Sequence, residues 1–299
     1  MKLADLGEDQ LLDQLLPRLS LKKAVVVGPG DDCAVVETSD RRKLLVLTTD
    51  CIVEAVHFSR GTDALQVGWK AMMRPLSDFA ATSAVPQFAL VTLMAPKQTE
   101  LSWVKELYRG LRRAAKQFEV SIVGGETSGT PGPVAISTSV VGFVERSRAI
   151  SRRGGKAGDD LFVTGRLGGA LRQKHLKFIP RIVESRWLTK NFSIHAMMDL
   201  SDGLGSDLPR LARASKLGFA IGTKNLPLTR GANINDAISE GEDYELLFAI
   251  SPRDRSRLQR GWAKKFPNLS LSRIGSLNRK SAVANRKLPG GYIHFQQSG

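Results

Sequence analysis

Short β-branched runs alternate with longer stretches of helical periodicity along the whole chain, and this alternation restricts the fold to an α/β or α+β class. The strand-like runs fall at 24–27, 34–36, 44–47, 88–94, 120–123 and 134–144, and then at 161–164, 195–200, 219–221, 245–250 and 269–274. Between them, helical spacing is predicted near 11–19, 64–82, 103–118, 180–188, 204–215 and 253–266. The basic, glycine-rich stretch Arg152-Arg153-Gly154-Gly155-Lys156-Ala157-Gly158 marks a junction. A chain of 299 residues suits two domains, and the predicted division is 1–148 and 149–299.

The formal charge is +15, from 44 Lys+Arg against 29 Asp+Glu, which raises the question of an anionic partner. The basic residues are dispersed, however. Arg109, Arg112, Arg113 and Lys116 share one predicted helix; Arg253, Arg255, Arg257 and Arg260 share another. With three tyrosines and no aromatic residues interleaved with these clusters, a plain basic surface is favoured over a nucleic-acid face. No run approaches the roughly 18 apolar residues of a membrane helix, and the N-terminus lacks the apolar core of a signal peptide. Cys33 and Cys51 are too few for a disulfide framework or a thiolate metal site. A soluble, cytoplasmic protein is expected.

Acidic residues cluster where apolar runs end. Asp31-Asp32 follow Gly28-Pro29-Gly30, Asp50 follows Thr48-Thr49, and Glu126 follows Gly124-Gly125. Asp78 lies in a helical segment, and Asp199 and Asp202 flank the entry to another. Any one of these reads as an ordinary turn or cap, Asp202 before the helix at 204 being the plainest case. Their repetition in so basic a chain points instead to convergence in one cleft, where the carboxylates would require a cation. Oxygen donors without a His or Cys pattern favour Mg²⁺, which commonly bridges to nucleotide phosphates. Gly124-Gly125, read as a turn, and Ser201-Asp202-Gly203 at a helix start would offer backbone N–H groups to phosphate. No P-loop motif is present.

Taken in order, these motifs resemble the thiamine-monophosphate kinase family, within the superfamily of aminoimidazole-ribonucleotide and selenophosphate synthetases. The resemblance runs through Gly7-Glu8, Gly30-Asp31-Asp32-Cys33-Ala34, Thr48-Thr49-Asp50, Val56-His57-Phe58, Lys70-Ala71, Leu76-Ser77-Asp78 and Gly124-Gly125-Glu126-Thr127. It continues with Ser151-Arg152, Gly155-Lys156-Ala157-Gly158-Asp159, Asp199-Leu200-Ser201-Asp202-Gly203-Leu204, Gly241-Glu242-Asp243-Tyr244-Glu245-Leu246 and Gly291-Tyr292-Ile293-His294-Phe295.

The resemblance implies a two-domain synthetase-like fold, with an N-terminal domain whose strands join a partner's in a homodimeric sheet or barrel and a C-terminal α/β domain. It implies phosphorylation of thiamine monophosphate by ATP, giving thiamine diphosphate by in-line transfer assisted by several Mg²⁺ ions. Asp32, Thr48, Thr49, Asp50, Asp78, Glu126, Asp199 and Asp202 would hold the metal. Gly125, Glu126, Arg152 and Ser201 would contact ATP, and His57 and Glu242 the thiamine phosphate. No general base is assigned, because the attacking phosphate oxygen is already ionised near neutral pH. Four departures stand out: Glu126 where the family usually has Asp, Arg74-Pro75 where it tends to Val-Asn, Pro289 near where many members carry an aromatic residue, and a stretch from Gly165 to Pro180 that is shorter than usual. Pro75 is expected to start or kink its helix. The competing readings are another ATP-using member of the superfamily with a different small substrate, and a non-catalytic relative that binds nucleotide or nucleic acid.

Overall fold

A computed structural model describes residues 2–172 and 174–279. Pro289 and the 291–295 motif therefore lie outside the described residues. The first half contributes α1 (Leu3–Leu15), β1 (Val25–Val27), β2 (Ala34–Glu37), β3 (Lys43–Val53), α2 (Ala64–Ala81), β4 (Val85–Ala95), α3 (Leu101–Gln117), β5 (Ser121–Gly129) and β6 (Ala135–Glu145). Its strands form one sheet in the order β1-β2-β3-β6-β4-β5. All neighbours are antiparallel except β4 and β5, which are parallel and joined by the α3 crossover.

The second half contributes β7 (Asp160–Thr164), α4 (Ile182–Asn191), β8 (Ile194–Asp199), α5 (Leu204–Ala214), β9 (Gly218–Ile221), α6 (Ile234–Ser239), β10 (Leu246–Ile250), α7 (Arg255–Lys265) and β11 (Leu271–Asn278). These strands form an antiparallel sheet in the order β8-β10-β7-β11-β9. The fold is thus mixed α and β, as the alternating pattern required.

Residues of β7 and β10 in the second sheet are buried on both faces, which explains their unbroken apolar runs. Leu246, Phe248 and Ile250 face one core; Leu247 and Ala249 face the other, which is closed by α5 and α6. The first of these cores continues without a break into the first half, because α2 packs on β3 and β6 of one sheet, on β8 of the other, and on α3 and α4. Helix α2 is accordingly buried over most of its length. Its crossing with α3 is so close that a Cβ at Gly68 would lie 2.0 Å from the Leu107 carbonyl oxygen, and one at Gly110 would lie 2.0 Å from that of Leu65. Only glycine fits either position.

Four local expectations are corrected. Pro75 does not begin its helix: α2 starts eleven residues earlier, where the Asp63 carboxylate accepts from the Leu65 N–H at 3.0 Å. Packing on two sheets holds the helix through the proline. Gly124-Gly125 is not a turn after a strand but the middle of β5, paired with Leu90 and Val91 of β4. A Cβ at Gly125 would meet the Val91 carbonyl at 1.8 Å, so the glycine serves close strand approach. Asp50 likewise lies within β3 rather than at its end. The short α6 falls where no helix was expected, six residues being too few to show a period.

Candidate active site

Helix α2 lays out the site. Lys70, Arg74 and Asp78 recur at four-residue intervals, so they project from one face about one turn apart. At the Asp78 end the two sheets meet. Asp32 enters from the bend before β2, Asp199 from the end of β8, and carboxylate oxygens of Asp32, Asp78 and Asp199 all lie within 4.8 Å of one another. Thr48 on β3 donates to Asp78 at 2.7 Å, and Ser77 donates to Asp199 at 2.6 Å. The other Asp199 oxygen is buried and has no hydrogen-bond partner among the described residues. Burial, and then the charge of Asp32, raises the Asp199 pKa to about 7; burial and the charge of Asp199 push Asp78 well up as well. Three crowded carboxylates with an unpartnered buried oxygen have the donor chemistry of a hard divalent cation site.

Guanidinium groups frame this cluster. Arg152 reaches Asp32 at 2.7 Å, and its backbone N–H donates to Asp31 at 3.1 Å. The Asp31 pKa rises to about 6, chiefly by burial and then by the Asp32 charge. Arg210 on α5 pairs with Asp202 and, at 3.2 Å, with Asp207. Asp202 therefore pairs with a guanidinium rather than capping its helix, whose N-cap is Gly203. Arg210 also reaches back to Asp9 at 3.1 Å and Glu8 at 3.6 Å, which straps α1 across the cleft. The resulting cavity, of about 760 Å³, is lined by Asp31, Asp32, Asp78, Arg152, Ser201 and Asp202 among others.

At the other end of the stripe, Lys70 is fully buried and ion-paired to Glu242 at 2.6 Å; it also donates to the His57 carbonyl at 2.6 Å. Burial lowers the Lys70 pKa to about 8 against the opposing pull of Glu242. Glu242 is held at about 2: burial opposes ionisation, but His175 at 3.0 Å, Lys70 and Arg74 overcome it. The carboxylate is delivered by a strained turn. Glu242 and Tyr244 have φ of 66° and 51°, and the turn is tied down by N–H bonds from Glu242 to Ser201 O and from Tyr244 to Leu200 O. Asp243, between them, accepts from the Gly168 N–H at 3.0 Å, and burial raises its pKa to about 7.

His57 lies in the turn after β3, where its Nδ1 accepts from the Val53 N–H at 3.0 Å. It lines a second cavity, of about 340 Å³, with Cys51 and Ser137. Thr49, Asp50 and Arg74 line both cavities and so form their common wall. Of the residues expected from the sequence, Asp32, Thr48, Thr49, Asp50, Asp78, Arg152, Ser201 and Asp202 line the larger cavity, with Asp199 against it and His57 in the smaller one. Gly125 and Glu126 stand apart, exposed on the edge strand β5 and in neither cavity. Sequence reasoning passed over Arg74, Arg210, Asp207 and His175 as site residues. The Lys70–Arg74–Asp78 spacing was the available signal for Arg74.

Residues 30–144 match the family model for the AIR synthase related protein, N-terminal domain. The thiamine-monophosphate kinase of Rhodopirellula baltica is 34% identical over 96% of this chain and 97% of its own length. That of Aquifex aeolicus is 34% identical over 99% and 100%. The chain belongs to the thiamine-monophosphate kinase family. Its fold agrees: the solved complex of AaThiL with AMPPCP and TMP superposes with a TM-score of 0.81 and 32% identity, covering 98% of this chain and 94% of that one. No helix among the described residues is long and apolar enough to cross a membrane.

Proposed function

We propose that this chain transfers the terminal phosphoryl group of ATP to the phosphate of thiamine monophosphate, giving thiamine diphosphate and ADP. The observation that carries this reading, beside the family, is the pair of cavities that share Thr49, Asp50 and Arg74 as a wall. In-line transfer between two phosphates needs two adjoining compartments and a narrow meeting point. The larger would take ATP, with Arg152 and Ser201 on its phosphates; Gly125 and Glu126 lie outside this cavity within one chain and would reach a nucleotide only from the β5 of a second copy. The smaller would take the acceptor against His57, with Glu242 behind its Arg74 wall.

Asp32, Asp78 and Asp199 would hold Mg²⁺, with Thr48, Thr49, Asp50 and Asp202 completing the ligands of the cavity; Glu126, outside it within one chain, would join the set only from the β5 of a second copy. The unpartnered Asp199 oxygen and the raised pKa values of Asp78 and Asp199 support that role. Bound there, Mg²⁺ supplies neutralisation of the phosphate charge. The protein's own part is to bind and orient. Arg152 places a fixed positive charge beside the cluster, while Thr48 and Ser77 fix the carboxylates of Asp78 and Asp199. The acceptor oxygen is ionised before it arrives, so no side chain need remove a proton.

Residues 1–148 and 149–299 would form the two domains, with the site between their sheets, in a cytoplasmic homodimer. Val123 on the open edge strand β5, with Phe88 and Leu90 on its neighbour β4, presents exposed apolar side chains that a second copy would cover. A coupled assay of ADP release tests the activity. Turnover should require thiamine monophosphate, ATP and Mg²⁺ together, and ADP release independent of thiamine monophosphate would overturn the reading.

A further inference from the structure

The smaller cavity must receive a phosphate dianion if the proposed function holds, yet among the described residues its charged lining beside the His57 ring is one opposed pair, Asp50 and Arg74. Thr49, Cys51 and Ser137 add only neutral polar groups. Lys70, the other strong cation nearby, is fully buried and engaged with Glu242, the His57 carbonyl and the His175 ring. Arg74 differs from Lys70 in reaching both cavities. It projects from α2 one turn from Asp78 and one turn from Lys70, so it stands between the acidic cluster and Glu242. Its Nε donates to Asp50 at 2.7 Å, and its Nη1 lies 3.8 Å from Glu242, beyond hydrogen-bond reach. Asp50 in turn has its other oxygen on the Cys51 N–H at 2.7 Å, which fixes the orientation of the pair.

A guanidinium anchored through Nε keeps its two terminal nitrogens as a planar fork, the geometry that recognises phosphate through two parallel bonds. We propose that Arg74, at the wall between the two cavities, clamps the phosphate of the acceptor substrate. The assignment rests on the phosphotransfer reading above. Asp50 acts through Arg74 as a positioning residue, holding the fork toward the junction.

Calorimetric titration of the full chain with thiamine monophosphate, with unphosphorylated thiamine and with ADP separates phosphate recognition from ring recognition and from the nucleotide site. Charge-assisted bonds of this kind are worth about 10- to 100-fold in affinity, so the parent should prefer the phosphorylated ligand by at least about tenfold. In Arg74→Met that preference should collapse to within about threefold, with thiamine and ADP affinities held within about twofold. Arg74→Lys keeps a charge beside Asp50 but not the fork, and should lose an intermediate part of the preference. It also serves if the methionine variant does not fold. Undiminished preference in the folded variants, or a parallel loss for thiamine and its phosphate, overturns the assignment alone. A parent with no preference for the phosphorylated ligand and no turnover of it overturns the proposed function, and the Arg74 assignment with it.

Discussion

Replacing Asp199 by asparagine should make the ion-free protein more stable while removing its activity, because Asp199 is a buried carboxylate crowded by those of Asp32 and Asp78. Its pKa rises from 3.8 to about 7 in the folded chain, through burial first and the Asp32 charge second. Between those two values the folded protein retains a proton that the unfolded chain releases. Stability therefore falls as pH climbs through that window and is lowest above it. The full electrostatic cost above pH 7 is about 4 kcal/mol. Asparagine abolishes it without leaving a hole. Its carbonyl can keep the Ser77 bond, and its amide N–H₂ would replace an oxygen that has no partner and faces the carboxylates of Asp32 and Asp78.

At about 2 °C per kcal/mol for a chain of this size, the variant should melt about 5 °C or more above the parent at alkaline pH in a chelator. Mg²⁺ should reverse the order, raising the melting temperature of the parent by binding its folded form and barely moving the variant. Scanning calorimetry with EDTA and with saturating MgCl₂, at pH values on either side of the window, reads both effects. A variant that melts at or below the parent's temperature in EDTA, or that gains as much from Mg²⁺, would refute the reasoning about the cluster.

Four other outcomes are expected. Gly68→Ala should cost about 3 kcal/mol or more, because its methyl would collide with the Leu107 backbone and force α2 from α3; urea unfolding measures it. Glu242→Gln should cost about 3 kcal/mol, because it removes a carboxylate whose pKa is held at about 2 against burial by its ion pairs, and leaves the buried Lys70 either charged without its partner or driven to release its proton; thermal melting near neutral pH should show the loss. Glu126→Gln should lose most Mg²⁺-dependent turnover while Glu126→Asp keeps it, and equal Mg²⁺ titrations for all three proteins would remove Glu126 from the ligand set. Sedimentation should find a homodimer that Val123→Asp disrupts, and a parent that stays monomeric at micromolar concentration contradicts the dimer.

Much of the fold was legible because burial leaves a direct imprint on residue pattern. The runs at 161–164 and 245–250 are unbroken because both faces of β7 and β10 are covered. The helix at 64–82 was visible for the same reason, although its proline read as a boundary. A local rule about Pro75 is overridden where two sheets and two helices hold the helix. Gly124-Gly125 misled in the opposite direction. Adjacent glycines signal a turn unless another backbone needs their space, and Val91 on β4 is known only from the folded chain.

The site was legible as a list of acids and much less as an arrangement, and the missing part is largely arginine. Asp32 has Arg152, Asp50 has Arg74 and Asp202 has Arg210, each at direct ion-pair distance. Asp78 and Asp199 have hydroxyl partners instead, Thr48 and Ser77. A hydroxyl can orient a carboxylate but does not neutralise it, so the uncompensated negative charge of the cleft concentrates on these two residues and the Asp32 oxygen beside them. Any divalent cation should therefore be drawn to that point first, ahead of the more exposed Asp50 and Asp202. The three arginines, each fixed by at least one carboxylate, then carry positive charge toward the anions that meet at the cation. A sequence read for its acids alone finds the centre of such a site and misses its rim, because the paired arginines come from distant and unremarkable positions in a chain where basic residues are common.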